Sequence, residues 1–186
     1  MSASRKPLTR VAHEILLRHL APGDLVIDAT AGNGHDTLFL ARTVAPSGRV
    51  YVFDIQPRAL LQTRARLEED GLADLADLFH AGHETMRELL PGEVHGRISA
   101  VVFNLGYLPG SDKRTTTLTD TTLQALQQSA DLLAPGGLLS VLAYRHHPGG
   151  REESEAAGEF LGKLEGFRLE SRESPGPVLF VARKDG

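Results

Sequence analysis

Cysteine and tryptophan are both absent from the 186 residues. Without cysteine there is no disulfide, no thiolate metal site and no thiolate nucleophile, so catalysis by covalent cysteine addition is excluded. Aromatic residues make up 5% of the chain, so stacking on a flat ligand would rest on very few rings. No uninterrupted apolar run approaches the ~20 residues a membrane helix needs. No apolar segment follows Arg5 and Lys6 in the manner of a secretion signal, and a cytoplasmic protein is expected. The net charge of −4 provides no global basic field, so contact with nucleic acid would require a local basic patch. No metal site is expected.

What is present fits one domain over residues 1–186, with residues 1–23 as an N-terminal helix and turn; a length of about 100–200 residues is usual for a single domain. Hydrophobic residues at 41% are enough for a real core. The chain is organised around L-V-I-D-A-T-A-G-N-G-H-D-T, residues 25–37. Leu25 to Ile27 read as a short buried strand ending in the carboxyl of Asp28. Gly32 and Gly34 allow positive φ and a ligand lying against the backbone. Helical spacing begins near His35, with Asp36 in the first turn and Leu38, Leu40 and Ala41 available to face inward.

Such a strand, glycine turn and helix serve two common kinds of ligand. A dinucleotide wants a third glycine three residues after the second, and bare amides for its pyrophosphate. Here that position is Thr37, and Asp36 lies where the pyrophosphate would sit. An acidic residue beside a G-x-G turn suits a ligand with an ammonium group and no phosphate, such as S-adenosylmethionine. The turn also admits the plainer reading of a simple strand-to-helix connection.

Before this unit, Val11, Ile15, Leu16 and Leu20 have helical spacing, closed by Ala21-Pro22-Gly23. After it, Val50 to Phe53 form a second strand ending at Asp54, and Pro57 opens a helix to Glu69. Asp54 lies 20 positions beyond Gly34, where a carboxylate can accept both hydroxyls of a ribose; alone, it would cap the helix. A third strand, Leu75 to His80, precedes His83, placed either beside an adenine ring or as a cap for the helix that follows. Ile98 to Phe103 form the fourth strand, ending at Asn104. A polar amide at the tip of a buried strand followed by Gly, Tyr and Pro marks a binding site or an Asn-initiated turn.

Thr119 or Asp120 is expected to cap the next helix, and Pro135-Gly136-Gly137 to turn into a fifth strand, Leu138 to Ala143. Tyr144-Arg145-His146-His147 follows, then a helix over 152–164 and a hairpin of 168–172 with 178–182. Strand–helix alternation with a terminal strand pair gives an α/β fold: a mostly parallel seven-stranded sheet with a C-terminal antiparallel hairpin and helices on both faces. Asp28, Asp54, His83, Asn104 and Arg145 then fall on one rim, at the strand C-termini where ligands gather.

The stretches D-A-T-A-G-N-G-H-D-T, F-D-I-Q and N-L-G-Y-L-P-G-S-D-K resemble the Rossmann-like class I S-adenosylmethionine-dependent methyltransferases. More narrowly they resemble the bacterial rRNA methylase group, which includes tRNA 5-aminomethyl-2-thiouridine methyltransferases. The resemblance covers essentially the whole chain. It implies S-adenosyl-L-methionine as cofactor and, as activity, methylation of the aminomethyl nitrogen of wobble 5-aminomethyl-2-thiouridine in tRNA. The cofactor would be held by Asp28, Ala29, Thr30, Gly32, Asn33, Gly34, Asp36 and Thr37 around its methionine part, by Asp54 at the ribose, and by Gln56, His83 and Asn104. Asn104-Leu105-Gly106-Tyr107 is similar to the N-P-P-Y loop of amino-methylating enzymes, which implies that Asn104, the Leu105 carbonyl and Tyr107 position the target nitrogen and its base. The family's tyrosine–histidine–glycine–histidine stretch is replaced here by Y-R-H-H-P-G-G.

Asp36, His35 and His146 are the candidate proton acceptors, and Arg5, Lys6, Arg10, Lys113, Arg114, Arg145 and Arg151 the candidate RNA contacts, with the tRNA anticodon stem-loop as partner. The alternatives are methylation of an rRNA base or a small amine, a non-catalytic RNA-binding module, and a nicotinamide-dependent oxidoreductase, which Thr37 disfavours. The oligomeric state stays open, a homodimer included.

Overall fold

The computed structural model describes residues 6–106 and 116–186. Seven strands form one sheet: β1 Leu25–Asp28, β2 Arg49–Asp54, β3 Ala76–His80, β4 Ile98–Leu105, β5 Leu133–Tyr144, β6 Phe167–Glu173 and β7 Pro177–Lys184. Their order across the sheet is β3-β2-β1-β4-β5-β7-β6, parallel except for β7, which runs antiparallel to both its neighbours. The helices are α1 Leu8–His19, α2 His35–Val44, α3 Pro57–Glu69, α4 Met86–Leu89, α5 Thr119–Leu132 and α6 Gly150–Gly162. The chain order reverses between β1 and β4, the switch point where open α/β sheets bind ligands. No helix among the described residues is long and apolar enough to cross a membrane.

Side-chain alternation in the central strands divides the core in two. Ile27, Tyr51, Phe53, Val101 and Phe103 face one layer, with Met86 of α4, Leu126 of α5 and Leu161 of α6. Val26, Val50, Val52, Ala100 and Val102 face the other, with Leu16 of α1, Leu40 and Val44 of α2, and Leu60 and Leu67 of α3. The central strands β1, β2 and β4 are apolar on both faces because each face is covered by helices, whereas the edge strand β6, Phe167–Glu173, is polar and largely exposed. The same parity carries past the strand ends. Asp28 pairs in register with both Val52 and Val102, so Asp28, Asp54 and Asn104 occupy the side that faces α1, α2 and α3.

Most expected elements are found, with differences of local origin. The helix after His83 is only a 3-10 turn, His83–Thr85, followed by the four residues of α4. The expected cap of α5 is absent: its N-cap is Leu118, and no side chain bonds to the first amides. Pro135-Gly136-Gly137, expected as a turn leading into β5, lies within it, as an irregularity where Ile98 pairs with Leu133 and Ala100 with Leu138. Positive φ at Gly136 lets the strand make this excursion and rejoin the sheet.

Candidate active site

Local chemistry builds the floor of the site. Fully buried Asp28 accepts the Thr37 hydroxyl at 2.6 Å and the Thr30 amide at 3.2 Å, tying the glycine turn to both the strand it leaves and the helix it enters. Burial, with a smaller push from neighbouring Asp36, raises the Asp28 pKa to about 7. Gly32 and Gly34 both have positive φ. A Cβ on Gly34 would fall 2.7 Å from the Cα of Thr63, so this glycine serves the packing of the turn on α3. Arg66 of the same helix donates to the Asn33 carbonyl at 3.0 Å.

Asp54 accepts the Gly32 amide on one oxygen (2.9 Å) and the Gln56 amide on the other (2.8 Å). A carboxylate oxygen has two acceptor positions, so each keeps one for a ligand. This arrangement sits at the edge of a cavity of about 280 Å³, lined by Ala29, Thr30, Gly32, Asp54, Ile55 and Gln56 from the β1 and β2 tips. Ala81 to Glu84 follow β3, Asn104 and Gly106 lie at the β4 end, and Thr116, Thr117, Leu118 and Thr121 close the far wall. Ile55 and Leu118 are 53% and 62% exposed and give apolar surface to the cavity. Buried His83 packs edge-on against Phe103, and burial lowers its pKa, so the ring is neutral at pH 7. Asp54 and Glu84 are the charged side chains among the described lining residues, and neither lysine nor arginine is among them. A pocket with that lining fits a nucleoside carrying positive charge; a pyrophosphate would meet carboxylates without a compensating cation.

The β4 end is assembled from distant parts of the chain. The Asn104 backbone amide donates to Thr30 Oγ1 at 2.7 Å, and its side-chain Nδ2 donates to Asp36 Oδ2 at 2.5 Å. The other Asp36 oxygen bonds to His13 Nε2 at 2.6 Å, and the His13 ring stacks on Phe39 at 3.9 Å with 3° between the planes. Burial alone would raise the Asp36 pKa; the hydrogen bonds from His13 and Asn104 outweigh it and hold the carboxyl below its usual value. Behind Gly106, Thr117 Oγ1 accepts the Gly106 amide and donates to Glu153, while Thr122 donates to the other Glu153 oxygen. Glu153 is 2% exposed.

Of the expected cofactor residues, Ala29, Thr30, Gly32, Asp54, Gln56, His83 and Asn104 line the cavity. Asp28 and Thr37 lie beneath it as struts, Gly34 packs on α3, Asn33 is tied to Arg66, and Asp36 braces Asn104. Arg145 and His146 are turned away to the β6–β7 hairpin, bonding the carbonyls of Ser174, Gly176 and Pro175. Lys6 is paired with Glu14. Tyr107, Lys113, Arg114 and Arg5 lie outside the described residues. Sequence reasoning missed His13, Thr117 and Glu153. Strand parity could have aimed Asn104 at the first turn of α2, but nothing local marks His13 or Glu153.

The rRNA methylase family model matches residues 50–172. A tRNA (mnm(5)s(2)U34)-methyltransferase of Arabidopsis thaliana, chloroplastic, is 43% identical over 84% of this chain, and the alignment spans 59% of that protein's length. Among solved structures, an rRNA-methylase from Clostridium thermocellum superposes with a TM-score of 0.91 at 35% identity, covering 98% of this chain and 100% of that one. A methyltransferase from Streptococcus mutans in complex with SAH has a TM-score of 0.85 at 32% identity, covering 96% and 98%.

Proposed function

Given that the chain belongs to the rRNA methylase family, we propose that it is an S-adenosylmethionine-dependent RNA N-methyltransferase acting on the aminomethyl nitrogen of wobble 5-aminomethyl-2-thiouridine in tRNA. The observation that carries this reading is the pairing, on one rim, of a carboxylate-lined pocket with an asparagine whose Nδ2 donates to Asp36, which sets its Oδ1 on the opposite side. Asp54 would hold the ribose hydroxyls, Ile55 and Leu118 would flank the adenine, and the turn from Ala29 to Gly34 would face the methionine part. When bound, S-adenosylmethionine supplies a methyl group on a positively charged sulfur; transfer forms one N–C bond, breaks one S–C bond with its electrons staying on sulfur, and leaves a proton for water.

The protein's task is then alignment. Asn104 Oδ1 and the Leu105 carbonyl accept the N–H groups of the amine and aim its lone pair, at the ~3–3.5 Å separation of a near-attack geometry. An alkyl amine with a pKa of about 10.4 must shed a proton to react, and desolvation of the amine on docking would favour its neutral form. Asp36, engaged on both oxygens and held at low pKa, is a brace and not a proton acceptor.

The test is incubation with radiolabelled S-adenosylmethionine and tRNA with or without the aminomethyl-thiouridine, followed by nucleoside mass spectrometry. Label on the aminomethyl nitrogen of the modified tRNA alone is expected. Transfer to an rRNA fragment or to a free amine in its place would overturn the substrate assignment.

A further inference from the structure

His13 comes from α1, before the glycine turn, and shares no wall with the cavity. It nevertheless ends a chain of short contacts that reaches the reacting side: His13 Nε2 to Asp36 Oδ1 at 2.6 Å, Asp36 Oδ2 to Asn104 Nδ2 at 2.5 Å. The flat stack on Phe39 fixes the plane of the imidazole, and the amide bond to Thr30 fixes the backbone of Asn104.

We propose that His13 is a positioning residue for methyl transfer, acting through Asp36 to hold the Asn104 side chain with its nitrogen inward and its oxygen toward the incoming amine. This rests on the amine reading of the site. An ionised carboxylate only accepts hydrogen bonds, so both of its partners must donate. Asp36 therefore requires N–H at His13 Nε2 and fixes the flip of Asn104, whose two ends are otherwise nearly the same in shape. Asn104 in the opposite flip would set its oxygen against a carboxylate, a repulsive contact, and would turn its N–H groups toward the amine, where they would occupy the lone pair that must attack. The low pKa of Asp36 keeps this logic in force at neutral pH. The other titratable groups whose fields reach Asp36 are His35 beside it on α2, Asp28 below it on β1 and Tyr144 at the tip of β5.

Two variants separate positioning from folding. His13→Phe keeps a ring to stack on Phe39 but removes the donor; His13→Gln keeps an N–H donor that reaches Asp36. In His13→Phe we expect kcat to fall by about 10- to 100-fold, the size of effect that small misplacements produce. The affinity for S-adenosylhomocysteine, measured by calorimetry, should change less than about twofold, and His13→Gln should recover most of kcat. In the ¹⁵N spectrum of the cofactor-free protein, the Asn104 side-chain NH₂ should exchange slowly with water in the wild type and in His13→Gln, and rapidly in His13→Phe. Unchanged exchange in a folded His13→Phe would overturn the proposal, as would unchanged kcat. If instead the exchange pattern holds but the wild type methylates a non-amine acceptor, the relay stands and the substrate reading fails.

Discussion

At the tips of β1 and β2, the carboxyls of Asp28 and Asp54 are held by backbone amides and one hydroxyl close by in the chain: Thr30 and Gln56 are 2 residues away, Thr37 is 9 and Gly32 is 22. At the tip of β4 and behind it, the bonds span 68 residues from Asn104 to Asp36, 74 to Thr30, and 36 and 31 from Glu153 to its two threonines. The first region is a cradle written into two short stretches of sequence. The second exists only once α1, α2, β4, α5 and α6 have docked. A cofactor pocket of the first kind can be shared by enzymes with many acceptors, because the fold around it supplies the acceptor side separately.

Variants on each side should fail in different ways, beginning with the largest effect. Asn104→Ala removes the group proposed to accept the amine's N–H on the distant side, and turnover in the tRNA assay should drop by about 100-fold or more, with calorimetric cofactor affinity nearly intact. Loss of affinity with turnover retained would erase the division between the halves. Asp54→Ala strikes the local side. It should weaken S-adenosylhomocysteine binding by roughly 10- to 100-fold, the loss expected for hydrogen bonds to a charged acceptor, and equal affinity in both proteins would remove the ribose assignment.

The third variant uses pH. A native Asp28 pKa of about 7 against an ordinary 3.8 means that the folded state binds the proton more tightly than the unfolded chain. Wild-type stability from this group is therefore full below pH 4 and declines as pH rises toward and through 7. Asp28→Asn can still accept from the Thr30 amide and donate to Thr37, without ever ionising. Its advantage over the wild type in thermal unfolding should grow by on the order of 2 kcal/mol between pH 5 and pH 8; a constant difference would show that Asp28 is not carrying the proton. Smallest is Glu153→Ala, which leaves two threonine hydroxyls without their acceptor. A stability loss of about 1–2 kcal/mol in denaturant unfolding is expected, with kcat reduced more than cofactor affinity.

The contrast in chain distance also accounts for what could be read in advance. The strand ends at Asp28 and Asp54, and Asn104 one residue before the end of β4, follow from apolar runs meeting a polar residue, and the sheet class follows from strand–helix alternation. The sequence offers His146 as a candidate proton acceptor; its bond to the Pro175 carbonyl depends on how the β6–β7 turn folds back, which no local pattern encodes. The Pro135-Gly136-Gly137 turn signal was real, but the sheet absorbed it as an irregularity because the pairing of β4 with β5 resumes immediately at Ala100 and Leu138.

The sequence by itself determined the glycine turn, the carboxylates at the tips of β1 and β2, the polar end of β4 and the order of strands and helices, since each depends on periodicity and residue type within a few turns of chain. Only the tertiary structure decided that Asp36 braces Asn104, that His13 stands behind Asp36, that Glu153 anchors the wall at Thr117, and that Arg145 faces the hairpin. Those choices are made by side-chain hydrogen bonds between elements far apart in the chain, whose partners become neighbours only when both faces of the sheet are covered.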